Sequence, residues 1–181
     1  MKQMLTAIRI FAVLTLFTGV VYPALMLVLG HTLFPTQAGG SLVSQNGGVV
    51  GSALVAQKFT APQYFWPRPS ASGYATVPAG ASNWSPTAKA LLSAVAARRA
   101  AMDQDAGREM LFASGSGLDP EISRQSALAQ IPRITRARGI DSMTLAGLVE
   151  RFTRHRGLGF LGEEGVNVLR LNLAVDELAR K

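Results

Sequence analysis

The stretch IFAVLTLFTGVVYPALMLVLG, residues 10–30, contains no charged side chain. As a helix, about 20 apolar residues cross a hydrocarbon core ~30 Å thick. The run therefore divides the chain into an anchor over residues 1–33 and a more polar domain over residues 34–181. A cleaved signal peptide would have an apolar region of about 7–15 residues and a small-x-small cleavage site. The run here is longer and closes on Met26, Leu27, Val28, Leu29, Gly30 and His31, so the sequence predicts an uncleaved single span. Gly19, Tyr22 and Pro23, with Thr15 and Thr18 close by, mark a candidate face for packing on another membrane helix. The plainer alternative is a mild kink facing lipid.

Orientation follows from the basic residues. Lys2, Arg9 and the terminal amine precede the run, and no Lys or Arg follows until Lys58. The positive-inside rule then places the N-terminus in the cytoplasm and the domain outside, which is the periplasm in a bacterium with two membranes. The expected fold class is α+β: a single N-terminal transmembrane helix followed by one mixed α/β exported domain of about 150 residues, enough for a core of its own.

Cysteine is absent, which excludes disulfides, thiolate nucleophiles and cysteine metal sites. Eighteen Lys and Arg stand against eleven Asp and Glu, and no acid precedes Asp103. Such a basic surface aids solubility or faces anionic lipid headgroups or an acidic partner. No motif of a nucleic-acid reader is present, so nucleic acid is not an expected partner.

Along the domain, residues 34–50 are rich in Gly, Ser, Gln and Thr and read as a linker. Residues 53–59 alternate as a short strand would. Tyr64, Phe65 and Trp66 precede Pro67, Arg68 and Pro69, a composition incompatible with a regular helix. Two roles fit them: rings that plug the core, or an interaction loop of Tyr64, Phe65, Trp66 and Arg68 at a half-wet boundary. Ser85 and Pro86 read as cap and first residue of a helix over residues 86–103. Residues 110–113 read as a short strand.

Ser114, Gly115, Ser116 and Gly117 precede Leu118, Asp119 and Pro120. A Gly-rich turn that opens a helix can bind phosphate through free N–H groups. No Lys-Ser/Thr pair follows, however, and Asp119 as N-cap would already supply a carboxylate to those groups. A helix over residues 120–130, with Ile122, Leu128 and Ile131 inside, is expected to break at Pro132. A short helix then follows, with Arg133, Arg136 and Arg138 solvated and a stop at Gly139. Leu145, Leu148, Val149 and Phe152 fall at i, i+3, i+4 and i+7 behind a cap at Asp141 or Ser142. Residues 166–173 read as β with a bulge near Leu169, and Asn172 as the cap of a last helix.

No constellation for catalysis emerges. His31 and His155 lack partners at metal-ligand spacing, and no nucleophile elbow is present. No catalytic residue and no metal ligand is assigned. An accessory subunit is the reading that remains. A stand-alone periplasmic binding protein is a weaker one.

GSALVAQKF from Gly51, YFWPRPSAS from Tyr64, SNWSP from Ser82, SGSGLDPEIS from Ser114, the run 130–139 and VNVLRLNLAVD from Val166 carry a resemblance over nearly the whole chain. Together they closely resemble the C-subunit family of Kdp-type potassium-transporting P-type ATPases. The resemblance implies an accessory subunit of the bacterial inner membrane. Its implied partners are a channel-like potassium-translocating subunit and an ATP-hydrolysing P-type subunit. It implies a role in assembly and a chaperone-like increase in the ATP affinity of the hydrolysing subunit. The resemblance implies ATP as the partner subunit's ligand and allows a ternary complex that includes this chain. An exported domain would then act on ATP by coupling through its partners. The alternative is a nucleotide-binding regulatory module using Ser114, Gly115, Ser116, Gly117 and Asp119.

Overall fold

The computed structural model describes residues 1–102 and 107–180. It separates into two compact units, Met1–Leu42 and Val43–Lys181.

The first unit is dominated by one helix, α1, Lys2–Leu33. It extends beyond the uncharged run at both ends, because Lys2 and Arg9 cost nothing on an exposed helix. None of its residues is buried. Its middle is a π turn, Phe17–Val21, which ends two residues before Pro23. Proline has no N–H, and its ring crowds the carbonyl four residues back, here that of Gly19. The wider turn relieves that crowding, and the Tyr22 N–H reaches back to the Phe17 carbonyl. A short helix α2, Pro35–Ala38, follows.

The second unit opens with a hairpin, β1 Leu42–Gln45 and β2 Gly48–Ser52, where the sequence reads as a linker. Asn46 (φ 53°) and Gly47 (φ 80°) both adopt left-handed backbone, the requirement of a tight turn matched to strand twist. The strand expected over residues 53–59 is absent. That segment is turn and coil, and the hairpin before it takes the β pairing instead.

Helix α3 runs Lys89–Ala101, three residues later than Pro86 suggests. Ser85 accepts from Thr87 N–H in a local turn, which consumes its capping role. The expected C-terminal end of that helix at Asp103 lies outside the described residues. Arg108–Leu111 forms a 3-10 turn, not a strand, and buries Met110 and Leu111.

Strand β3, Glu121–Ile122, replaces the helix expected to start at Asp119-Pro120. Helix α4 begins afterwards, Arg124–Arg138, capped by Ser123, which accepts from Ser126 N–H. It passes through Pro132 without breaking. A mid-helix proline costs ~3 kcal/mol. Burial of Ile131 and Ile134 on the same face offsets it, at roughly 1.5–3 kcal/mol each. Gly139 (φ 69°) ends the helix as predicted.

Helix α5, Ser142–Phe152, is capped by Asp141 and buries Leu145 and Val149, as its periodicity requires. Strands β4 Thr153–Arg154 and β5 Gly165–Asn167 complete an antiparallel sheet in the order β3-β5-β4. The chain then turns directly into α6, Val168–Leu178. The predicted bulged strand is therefore a strand of three residues and a helix. Asn167, not Asn172, is the cap and accepts from Arg170 N–H. Val168, Leu169, Leu171, Asn172 and Val175 are the buried positions, spaced for a helix face. Helices α4, α5 and α6 all touch β5, and the core forms where they meet, around Phe65, Met110, Ile122, Ile134, Leu145, Val149, Val166, Leu171 and Val175.

Candidate functional site

The three predicted groups of residues lie in different settings. Gly19, Tyr22 and Pro23 sit at and just after the π turn of α1. Tyr22 is exposed, and a Cβ added at Gly19 would meet nothing within 4 Å. Thr18 Oγ1 donates to the Leu14 carbonyl at 2.8 Å, which removes one hydroxyl from competition for a partner. This surface is open along its length.

Tyr64, Phe65, Trp66 and Arg68 belong to a segment with almost no secondary structure, yet Phe65 is completely buried. Two carboxamides hold it there. Asn172 Oδ1 accepts from Phe65 N–H at 2.7 Å, and Asn172 Nδ2 donates to the Phe65 carbonyl at 2.9 Å. Gln130 repeats the device one residue on. Its Oε1 accepts from Trp66 N–H at 2.8 Å and its Nε2 donates to the Trp66 carbonyl at 3.1 Å. Each carboxamide presents a donor beside an acceptor, as a neighbouring strand would. Prolines on the same segment prevent a regular ladder, so side chains supply the pairing.

Two arginines brace the same segment. Arg133 donates to the carbonyls of Pro62 (2.6 Å) and Tyr64 (2.9 Å), and its guanidinium lies 3.8 Å from the Trp66 ring centre. Arg138 donates to the Gln63 carbonyl at 2.8 Å, pairs with Asp176 at 2.5 Å and covers the Tyr64 ring at 4.8 Å. The Tyr64 hydroxyl donates to the other Asp176 oxygen at 3.3 Å. Both arginines were expected on a solvated face. Arg133 and Arg138 instead stand three and eight residues after Gln130, each within about 80° of it around the helix, and so reach the same loop.

Ser114 to Asp119 form a turn that packs on residues 69–80. Ser114 N–H donates to the Pro69 carbonyl at 2.9 Å, and Ser116 Oγ accepts from Leu118 N–H. Gly117 takes φ 72°, and a Cβ there would lie 2.7 Å from the Gly80 carbonyl oxygen. Asp119 Oδ1 accepts from Glu121 N–H, and Oδ2 accepts from Arg68 at 3.1 Å. The turn feeds a strand, so no helix N-terminus stands behind it. The dipole and converging N–H groups that motivated the phosphate reading are missing from this geometry. The Arg68–Asp119 pair joins the two loops into one surface, a link that sequence separation hid. Arg68 Nε is buried and makes no hydrogen bond among the described residues.

Beside this surface lies a cavity of about 160 Å³ lined by Trp66, Ala101, Met102, Met110, Gln130, Arg133 and Arg136. Its lining combines apolar side chains, Trp66, Met102 and Met110 among them, with the polar Gln130 and the cationic Arg133 and Arg136. Among the described residues no cluster of three His, Asp or Glu is placed to hold a metal. His155 Nδ1 lies 3.1 Å from Glu164 Oε1, and that bond holds the Glu164 carboxyl below its usual range. The Tyr74 hydroxyl donates to the Arg68 carbonyl, and its burial raises its pKa.

Gln130, Arg133, Arg138, Asn172 and Asp176 are the residues that sequence reasoning did not assign to the loop. A signal was present for the carboxamides: Asn172 is a polar residue on an otherwise apolar face of α6, and Gln130 shares the buried face of α4 with Ser126, Ala127, Ile131 and Ile134.

Comparison with known proteins accords with this architecture. Residues 4–177 match the family model described as the c chain of K+-transporting ATPases, KdpC. A potassium-transporting ATPase KdpC subunit of Rhodospirillum rubrum is 47% identical over 98% of this chain and 96% of its own. One from a Janthinobacterium species is 48% identical over 94% and 96%. One from a Synechocystis species is 44% identical over 97% and 98%.

Proposed function

The chain belongs to the KdpC family of K+-transporting ATPase c chains, and we propose that it is a non-catalytic subunit that assembles with the other subunits of such a pump. The observation that carries this is the exposed helix α1 joined to a domain whose own loops are already tied down by internal bonds. A helix with no buried residue needs lipid or a neighbouring helix to cover it. The proposed partners are a potassium-translocating subunit in the membrane and an ATP-hydrolysing subunit. Gly19 and Pro23 give α1 a surface without bulk on which a second membrane helix packs closely.

In this reading the N-terminus is cytoplasmic, the domain lies on the far face of the bacterial inner membrane, and any increase in ATP affinity passes through the partners as a coupling free energy. The basic flank at Lys2 and Arg9 supports that orientation.

Deleting residues 1–33 tests the assembly role. The expected result is loss of co-purification with the remaining subunits and loss of potassium uptake at low external potassium. A soluble domain that still assembles with normal affinity would remove the helix from the interface. A reporter fused after Lys181 tests the orientation, and a cytoplasmic signal would reverse it.

A further inference from the structure

The connection between β4 and β5 carries a second apolar feature. Residues 157–162 read Gly157, Leu158, Gly159, Phe160, Leu161 and Gly162. Leu158, Phe160 and Leu161 are 84%, 69% and 54% exposed, three large apolar side chains on one small projecting turn. No side chain in the turn has a polar group. The core, which starts again at Gly165 and Val166, leaves all three outside.

The backbone of this turn is closed on itself. Gly157 N–H donates to the Leu161 carbonyl at 2.9 Å, and Leu161 N–H donates back at 2.8 Å. Gly159 N–H donates to the Arg156 carbonyl and Phe160 N–H to the Gly157 carbonyl, each at 3.2 Å. Leu158 (φ 52°), Gly159 (φ 82°) and Gly162 (φ 81°) supply the left-handed backbone that so tight a loop needs. Entering hydrocarbon demands that polar backbone groups be satisfied internally. The turn meets that demand for the N–H groups of Gly157, Gly159, Phe160 and Leu161.

Its foot is charged. Arg151, Arg154 and Arg156 are exposed on one side of the turn, and Glu163 and Glu164 on the other. Arg154 is engaged by Glu121, and Glu164 by His155. Such a mixed girdle suits the headgroup level, with apolar residues beyond it.

We propose that the 157–162 turn is a membrane-contacting loop, which inserts Leu158, Phe160 and Leu161 into the surface of the bilayer that α1 crosses. The inference rests on α1 being a membrane anchor, but it does not depend on which subunits the chain joins.

The chain's lack of cysteine makes the test clean. Phe160→Cys and, separately, Leu158→Cys are labelled with the polarity-sensitive fluorophore NBD in the full chain. Each is reconstituted into vesicles of phosphatidylcholine and phosphatidylglycerol. Val77→Cys, on an exposed residue elsewhere in the domain, is the control. The expected result is a several-fold rise in emission at positions 160 and 158, with quenching by spin-labelled lipid, and neither effect at 77. Chain that floats with the vesicles but gives water-like emission at both turn positions overturns the loop proposal and leaves the anchor standing. Chain that fails to float overturns the anchor, and the loop proposal with it. Emission that rises only when the other pump subunits are added, without lipid quenching, also overturns the proposal and assigns the turn to a protein socket.

Discussion

Replacing Asn172 by alanine tests how the 62–68 segment is held. Asn172 is 1% exposed, on the buried face of α6, and both atoms of its carboxamide are used by the backbone of Phe65. Truncation leaves a buried N–H and a buried C=O without partners. Each orphan costs about 1–3 kcal/mol, and the lost side-chain volume adds to it. Together they amount to roughly 4 kcal/mol, a large share of the ~5–15 kcal/mol that holds a domain folded. For a domain of this size that corresponds to a fall in Tm of roughly 10–20 °C. Phe65→Leu is the matched control. It trims the ring but keeps both backbone bonds, and should cost only about 1–2 kcal/mol.

Urea unfolding of the full chain in detergent micelles, followed by tryptophan fluorescence, measures both variants. Trp66 neighbours the affected bonds, so local release of the segment would change its emission before the main transition. A loss below about 1 kcal/mol for Asn172→Ala, with one coincident transition, would refute the reasoning. It would mean that the Phe65 backbone finds other partners and that the carboxamide is dispensable.

Gly117→Ala should destabilise the domain by about 1–3 kcal/mol, because it combines left-handed backbone with a Cβ aimed at the Gly80 carbonyl, and urea midpoints would register it. Arg138→Met leaves Asp176 without its cation in a half-buried setting. A loss of about 2–4 kcal/mol is expected in the same unfolding assay, and Asp176→Asn should be milder because the amide oxygen still accepts from Arg138 while the amide N–H can donate to the Tyr64 hydroxyl oxygen. Tyr74 has its pKa raised above 10.0 by burial, so the folded state holds its proton more tightly than the unfolded chain. Its contribution is complete below pH 10.0 and is lost as the pH rises past that value. Tyr74→Phe should flatten that alkaline decline in a pH series of unfolding midpoints.

The parts of the fold legible in the sequence were those set by local patterns. The uncharged run gave helix α1, the i, i+3, i+4, i+7 spacing gave α5 with its Asp141 cap, and Gly139 gave the end of α4. Errors arose where two patterns competed. Residues 166–173 alternate well enough for a strand, but their apolar positions also fit a helix, and the Asn167 cap decides between them. Pro132 predicted a break that two buried isoleucines override. Asn46-Gly47 signalled a hairpin that the surrounding Gly and Ser content obscured.

The site shows a further limit. Aromatic residues between prolines announce a loop, but they do not say what the loop pairs with. The partners lie 64 and 107 residues away, on helices whose periodicity accounts for them as ordinary face positions. What distinguishes Gln130 and Asn172 is chemistry at odds with position: a carboxamide where the helix face calls for an aliphatic group. Such a residue has to meet a donor and an acceptor inside the core. A proline-rich segment that cannot form a ladder supplies both, one residue after another. The mismatch on the helices and the missing strand partner on the loop are thus two halves of one structural requirement. Once it is met, Phe65 and the Trp66 backbone are committed to the interior.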